Sequence, residues 1–191
     1  MEREFCDAFC AAWRGDVESD WFSPLVLRAG LPWREVAVLR AYARYARQVG
    51  VSYGMVYIAE TLLAHADVAR ALITLFHARF DPAIAPDERP GALATALADV
   101  ERLIEAVTGL DADRILRAYV TGITATLRTN WYRRRPYLSF KVDPTAVPYM
   151  PLPRPRFEIF VYSPRVEGVH LRFGPVARGG LRWSDRPQAV S

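Results

Sequence analysis

Hydrophobic and polar positions recur at helical spacing through roughly the first two thirds of the chain. Phe5, Phe9 and Trp13 repeat every four residues, which places them on one face of a helix. A similar apolar stripe runs through residues 33–48, with the arginines largely on the opposite face. Further helices are predicted over residues 53–64, 67–80, 92–107 and 112–128. The pattern therefore predicts a bundle of about six helices.

The pattern changes after Pro136, where strand-like alternation replaces helical spacing. YLSFKV (137–142), FEIFVYS (157–163) and GVHLRFG (168–174) are predicted strands, and GGLRWS (179–184) is a candidate for another. A sheet with so few strands is rarely stable unless helices or a further sheet cover it. This β segment is therefore predicted to begin a larger domain.

These two patterns together predict an α+β fold, in which a helical bundle precedes a short, mostly antiparallel β segment. The helical domain is expected over residues 1–135, and a truncated further domain begins at residues 157–191. Residues 136–156 form a strand followed by a connector with five prolines, too many for a regular element.

Composition and charge exclude several classes of function. The chain has 191 residues, of which 51% are hydrophobic and 24% are charged, as in globular proteins. No signal peptide and no membrane-spanning apolar run is recognisable, so a soluble, cytoplasmic protein without membrane contact is predicted. Arg133, Arg134 and Arg135 are interpreted as a solvated surface, and no nucleic-acid partner is expected.

Motif searches exclude several kinds of site. The three histidines are scattered and do not adjoin the two cysteines, Cys6 and Cys10, so no metal site is predicted. Neither G-x-G-x-x-G nor a Walker-type glycine–lysine loop occurs, so the chain has no nucleotide-binding fingerprint.

The stretch GPVARGGLRWSDR, residues 174–186, combines glycines with arginines. Paired glycines let a backbone turn tightly or approach a ligand closely, because neither carries a Cβ. Arginines beside such a turn offer forked donors that suit a carboxylate or a phosphate. On its residues alone, the stretch is either a tight turn or a small-anion site.

A family resemblance extends over nearly the whole chain. The run FEIFVYSPRVEGVHLRFGPVARGGLRWSDR (157–186) resembles the start of the catalytic region of the large, long-chain NAD-specific glutamate dehydrogenases of bacteria. YLSFKVDP and the proline-rich residues after it are similar to the same region. LVLRAGLPWREVAVLRAYARYARQVG, TLLAHADVARALITLFHARFDP and DRILRAYVTGITATLRTNWY resemble the helical segment that precedes it. The resemblance implies that residues 157–191 begin a catalytic, substrate-binding domain.

The resemblance also implies a substrate-carboxylate site. Shorter glutamate dehydrogenases have a K-G-G-L-R segment whose lysine binds a substrate carboxylate, and Arg178 stands at that position. Arginine keeps the positive charge and adds a planar fork that suits a carboxylate. Gly179 and Gly180 are expected to let the backbone approach the ligand. Arg182 shares the anion, braces the loop or forms a structural salt bridge, and Ser184 lines or supports the pocket.

The family's remaining catalytic parts are not expected in this chain. In the family, a second substrate-binding lysine, a catalytic lysine, a proton-transferring aspartate and an NAD-binding Rossmann domain follow this segment. Lys141 is the only lysine here, so no catalytic or cofactor-binding residue is assigned. NAD is expected to bind the full-length protein and not this chain. Losing a general acid–base group alone costs ~10²–10⁴ in rate, so the chain is predicted to be inactive by itself.

Two functions are therefore weighed. The first is a fragment of an NAD-dependent glutamate dehydrogenase, which converts L-glutamate, NAD and water to 2-oxoglutarate, ammonium and NADH. Glutamate or 2-oxoglutarate would bind such a fragment weakly or not at all, and the full-length protein is expected to be a homo-oligomer. The alternative is a non-catalytic helical interaction or regulatory module that partners a dehydrogenase.

Overall fold

The computed structural model describes residues 2–174, in which seven α-helices precede a four-stranded antiparallel sheet. The predicted α+β fold is confirmed. The helices are α1 (Glu2–Trp13), α2 (Leu25–Arg28), α3 (Trp33–Gln48), α4 (Met55–Ala64), α5 (Ala66–Phe80), α6 (Arg89–Glu105) and α7 (Leu110–Ala125). The strands are β1 (Thr126–Thr129), β2 (Leu138–Val142), β3 (Phe157–Ser163) and β4 (Val166–Arg172), adjacent in that order.

Helix α3 lies at the centre of the molecule. It is buried on almost every side, because it contacts other helices and the sheet at once. The ring of Tyr42 on α3 stacks on Phe140 of β2 at a centroid distance of 4.3 Å, and meets Phe76 of α5 edge-on. One continuous apolar core extends from Phe22 to Val169, so the helices and the sheet share it.

The sheet has a buried inner face and a partly exposed outer face. On β3 the even-numbered residues are buried and the odd-numbered residues are partly exposed, as alternation along a strand requires. The register pairs Phe140 with Phe160 on the inner face. On the outer face it pairs Lys141 with Ile159, and Phe157 with Arg172.

The predicted end of the last helix is wrong, because α7 stops at Ala125 and β1 begins at once. The hydroxyl of Thr126 donates to the carbonyl of Gly122 at 2.7 Å, and lies 3.0 Å from the hydroxyl of Tyr42. The carbonyl of Thr126 accepts from Nε of Arg79 at 2.9 Å, while its backbone pairs with β2. These contacts come from distant parts of the chain and turn the backbone from helix to strand.

The predicted proline-rich connector contains neither a strand nor an α-helix, although a short 3-10 turn covers Pro144–Ala146. The candidate strand at residues 179–184 lies outside the described residues. Among the helices in residues 2–174, none is both long enough and apolar enough to cross a bilayer.

Gly122 is expected to tolerate alanine poorly. A Cβ there would lie 3.1 Å from Cδ1 of Tyr42, whose ring is held by Phe140 and Thr126. Overpacking of about 1–3 kcal/mol should exceed the helix-propensity gain of about 1 kcal/mol. We therefore expect Gly122→Ala to lower the free energy of unfolding in urea by about 1 kcal/mol. Gly91→Ala in α6 is the control, since its Cβ would meet open space; stabilisation by both variants would contradict the prediction.

Candidate functional site

The predicted substrate-site residues lie outside the described part of the chain. These are Arg178, Gly179, Gly180, Arg182 and Ser184. Strand β4 ends at Arg172, shortly before this stretch in the sequence. The described residues therefore include the end of the strand that precedes the predicted site in the sequence.

Three cationic side chains lie at that end of the sheet. Nζ of Lys141 is 3.9 Å from the centroid of the Phe157 ring, and the guanidinium of Arg156 is 5.8 Å from the same centroid. Arg172 pairs with Phe157 across the strands, and its carbonyl accepts from the backbone N–H of Arg156 at 2.7 Å. Lys141, Arg156 and Arg172 are called the cationic end of the sheet. Their charges favour an anion near the point where β4 ends.

A buried carboxylate occupies the opposite face of β3. Glu158 is fully buried on the inner face and accepts a hydrogen bond from the hydroxyl of Tyr45 at 3.0 Å. Tyr45 lies on α3, and its ring contacts Phe160 at a centroid distance of 5.6 Å. This contact ties the first residues of β3 to the central helix.

A charged cluster fixes the other end of the β3–β4 hairpin to α3. Nε and Nη2 of Arg40 donate to both carboxylate oxygens of Asp20 at 2.8 and 2.7 Å, and Nε lies 3.4 Å from Glu18. Arg44 bridges Glu18 and Glu167 at 2.8 and 3.2 Å. The hydroxyl of Tyr162 donates to Glu18. The cluster joins β3, β4 and the segment after α1 to one helix.

The charged cluster perturbs the ionisation of two of its members. Burial alone would lower the pKa of Arg40, but the hydrogen bonds to Asp20 and the neighbouring acidic groups raise it overall. Burial raises the pKa of Tyr162, and the hydrogen bond and charge of Glu18 raise it further against the effect of Arg40. Arg40 is therefore cationic and Tyr162 is a neutral donor throughout the ordinary pH range.

These residues fix the β3–β4 hairpin to α3 and offer positive charge to an anion, but they do not form a catalytic constellation. Residues 2–174 contain no group of three or more His, Cys, Asp or Glu side chains that could hold a metal. Sequence reasoning missed the charged cluster, because Glu18 and Tyr162 are 144 positions apart. No local motif indicates that pairing.

Two family models match the chain. Helical motif 3 of glutamate dehydrogenase matches residues 17–82, and the catalytic domain of bacterial NAD-glutamate dehydrogenase matches residues 99–190. The chain belongs to the family of large NAD-specific glutamate dehydrogenases. The catalytic-domain match begins within α6, so in this family that region includes α7 and all four described strands. The division at residues 135 and 157 stays a prediction.

Named relatives agree with the family assignment. The chain is 51% identical over 189 residues to the NAD-specific glutamate dehydrogenase of Mycobacterium tuberculosis, an alignment that covers 95% of this chain. It is 49% identical over 192 residues to that of Halomonas elongata, and 30% identical over 136 residues to that of Neurospora crassa. The chain spans only 12% of the first two relatives and 13% of the third.

Proposed function

We propose that this chain supplies one wall of the glutamate site of an NAD-dependent glutamate dehydrogenase. The observation that carries the proposal is the catalytic-domain match over residues 99–190, which includes the whole of GPVARGGLRWSDR. In the sequence this stretch follows β4, which stops at the cationic end of the sheet, where positive charge favours a carboxylate.

Arg178 is proposed to bind a substrate carboxylate through its planar guanidinium, which can donate two parallel hydrogen bonds. Gly179 and Gly180 would let the backbone approach that carboxylate. Arg182 is proposed to share the anion or brace the loop, and Ser184 to line the pocket. The cationic end of the sheet would attract the dicarboxylate electrostatically, and the charged cluster would keep the β3–β4 hairpin in place on α3.

The complete reaction converts L-glutamate, NAD⁺ and water to 2-oxoglutarate, ammonium, NADH and a proton. NAD⁺ is the hydride acceptor in that reaction. The described strands are all antiparallel, whereas the common dinucleotide fold uses the carboxyl ends of parallel strands. Residues 2–174 therefore do not fit that form of NAD site, and we propose that other parts of a longer protein hold the cofactor. The chain alone is proposed to be inactive, and the longer protein to be a cytoplasmic homo-oligomer.

A chimera tests the proposal. Residues 1–191 would replace the aligned segment of the Mycobacterium tuberculosis enzyme, to which they are 51% identical over 189 residues. The chimera should form NADH from glutamate and NAD⁺. Arg178→Ala should lower kcat/KM for glutamate about 10- to 100-fold, because it removes a charged hydrogen bond to the substrate. Arg178→Lys should keep more of the activity, since it preserves the charge.

The controls separate this proposal from the module alternative. Arg114→Ala removes a surface arginine that pairs only weakly with Asp111, and it should leave kcat/KM unchanged. An active chimera that Arg178→Ala does not impair would refute the role of Arg178. A folded chimera with no activity would favour a non-catalytic module. NADH formation by the 191-residue chain alone would refute the proposed inactivity.

A further inference from the structure

An open groove of about 720 Å³ lies at the hairpin-turn end of the sheet. Four arginines and four aromatic residues line it, and six of these eight carry the argument: Arg34, Arg134, Arg135, Arg165, Trp131 and Tyr137. This volume is typical of small-molecule sites, which measure about 300–1,000 Å³. The six residues come from α3, the segment before β2 and the β3–β4 turn, and they define what we call the arginine groove.

Among the described residues, the positive charge of the groove arginines is not neutralised locally. Within residues 2–174, none of the four forms a salt bridge to a carboxylate. Asp16 also lines the groove, but its carboxylate accepts from Arg14 at 2.9 Å. Burial, and then the positive charge of Arg134, lowers the pKa of Arg34. Like charges brought together without a counter-ion create a positive potential that an anion would relieve.

The guanidinium of Arg34 is held by two tryptophans. It lies 5.5 Å from the ring centroid of Trp33 and 5.8 Å from that of Trp131. Cation–π contacts fix the position of the charge while leaving its N–H groups available to a ligand. The guanidinium of Arg34 is therefore preorganised to donate hydrogen bonds to an anion.

The segment that carries Arg134 and Tyr137 is also fixed in place. The side chain of Asn130 donates to the carbonyl of Tyr137 at 3.1 Å and accepts from the N–H of Ser139 at 2.8 Å. Arg134 has a left-handed backbone, with φ of 49°. A left-handed backbone is unusual for arginine and persists only where the surrounding structure holds it. The loop that carries Arg134 is therefore well defined.

Tyr137 differs from the two tryptophans because, among the described residues, no guanidinium lies over its ring as Arg34 lies over theirs. It is 45% exposed and makes no ring–ring contact among the described residues. A planar group of a ligand could stack on it while negatively charged groups reach the arginines. The groove thus combines an anion site with an aromatic platform.

The arginine groove and the cationic end lie at opposite ends of the sheet. The groove includes the β3–β4 turn, whereas Arg172 and Phe157 lie at the far end of the same two strands. Strands of seven residues separate the two by roughly 20 Å. A ligand in the groove would therefore lie apart from the cationic end of the sheet.

We infer that the arginine groove binds a phosphorylated ligand with a planar ring, of the nucleoside diphosphate class. Phosphate oxygens would accept from Arg34, Arg134 and Arg165, and the base would stack on Tyr137. The inference does not depend on the proposed dehydrogenase function, since it needs only binding to this chain.

Calorimetric titration of the 191-residue chain tests the inference, with ADP, pyrophosphate and adenosine as probes. ADP should bind most tightly, and its affinity should fall as salt is raised. Arg165→Gln and Arg134→Asn should each weaken ADP binding about tenfold or more, because each removes a charged donor. Asparagine suits the left-handed backbone at position 134. Tyr137→Ala should weaken binding of ADP but not of pyrophosphate.

Arg102→Gln is the matched control, because Arg102 is 67% exposed on α6 and does not line the groove. It makes the same change in net charge and should leave the ADP affinity within about twofold of the wild type. Unchanged thermal unfolding of each variant would show that folding is preserved. Absence of ADP binding at millimolar concentration, or equal weakening by Arg102→Gln, would overturn the inference. Pyrophosphate binding as tight as ADP binding, unaffected by Tyr137→Ala, would overturn the stacking role.

Discussion

Replacing Asp20 by Ala is expected to lower the free energy of unfolding by about 3 kcal/mol. The guanidinium of Arg40 is fully buried, and Asp20 accepts two hydrogen bonds from it at 2.7 and 2.8 Å. Without Asp20, the buried cation keeps only two longer contacts to Glu18, from Nε to the carboxylate at 3.4 Å and from Nη2 to the backbone carbonyl at 3.3 Å. A buried charge with an inadequate partner is costly, because neither water nor a counter-ion replaces what was lost. Urea unfolding followed by circular dichroism measures the change.

A double-mutant cycle distinguishes the ionic contribution from packing. Arg40→Met keeps much of the side-chain volume and leaves Asp20 able to meet water, so we expect a smaller loss of about 1–2 kcal/mol. The double variant Asp20→Ala, Arg40→Met should be more stable than Asp20→Ala alone, because no buried cation remains. Asp20→Asn retains an acceptor for the backbone N–H of Phe22 and should fall between wild type and Asp20→Ala. If Asp20→Ala lowered the free energy of unfolding by less than about 1 kcal/mol, Glu18 alone would be an adequate partner for the buried charge of Arg40.

The sequence predicts the helices and strands that are governed by local periodicity. The apolar stripe gives α3 its bounds at Trp33 and Gln48, and alternation gives β3 its bounds at Phe157 and Ser163. Both segments repeat at the period of the element that they form, so neighbouring residues carry the information. The prediction that β-strands follow a helical region is confirmed for the same reason.

The sequence does not predict the elements that depend on distant contacts. Thr126 follows a helical pattern without a break, and only Tyr42, Arg79 and β2 determine that a strand begins there. The four-residue helix α2 is too short to show a period. Arginines on α3 were expected largely opposite the apolar stripe, but Arg40 follows Val36 by one helical turn and is buried against Glu18, Asp20 and Phe22.

The candidate sites also divide into those that adjacent residues predict and those that depend on distant contacts. The stretch that contains Arg178 is recognisable because its glycines and arginines are adjacent in sequence. The cationic end is not recognisable, since Lys141, Arg156 and Arg172 become neighbours only through the strand register. The sequence predicts only part of the arginine groove. The run of Arg133, Arg134 and Arg135 reads as a solvated surface until Arg34 and Arg165 are found beside it.

Replacing Phe140 by Ala is expected to lower the free energy of unfolding by about 3–5 kcal/mol. Phe140 is fully buried on β2 and stacks on Tyr42, while Phe160 and Phe76 lie at centroid distances of 6.4 and 6.5 Å. Truncation removes apolar contacts and leaves a cavity between the sheet and the helices, which cannot collapse around three fixed aromatic neighbours. Urea unfolding measures the loss, and Phe140→Leu should cost less because it fills more of the space.

The same variant tests whether the helices and the sheet unfold together. Since Phe140 contacts both α3 and α5 from the sheet, the lost contacts belong to one shared core. Helical circular dichroism and tryptophan fluorescence should therefore shift to the same lower urea midpoint. Phe173→Ala is the control, because this side chain is 56% exposed and its removal should cost less than about 0.5 kcal/mol. If the helical signal kept its wild-type midpoint in Phe140→Ala, the helices would unfold independently of the sheet, which would be a separate folding unit. The helices would then hold the β3–β4 hairpin only by docking.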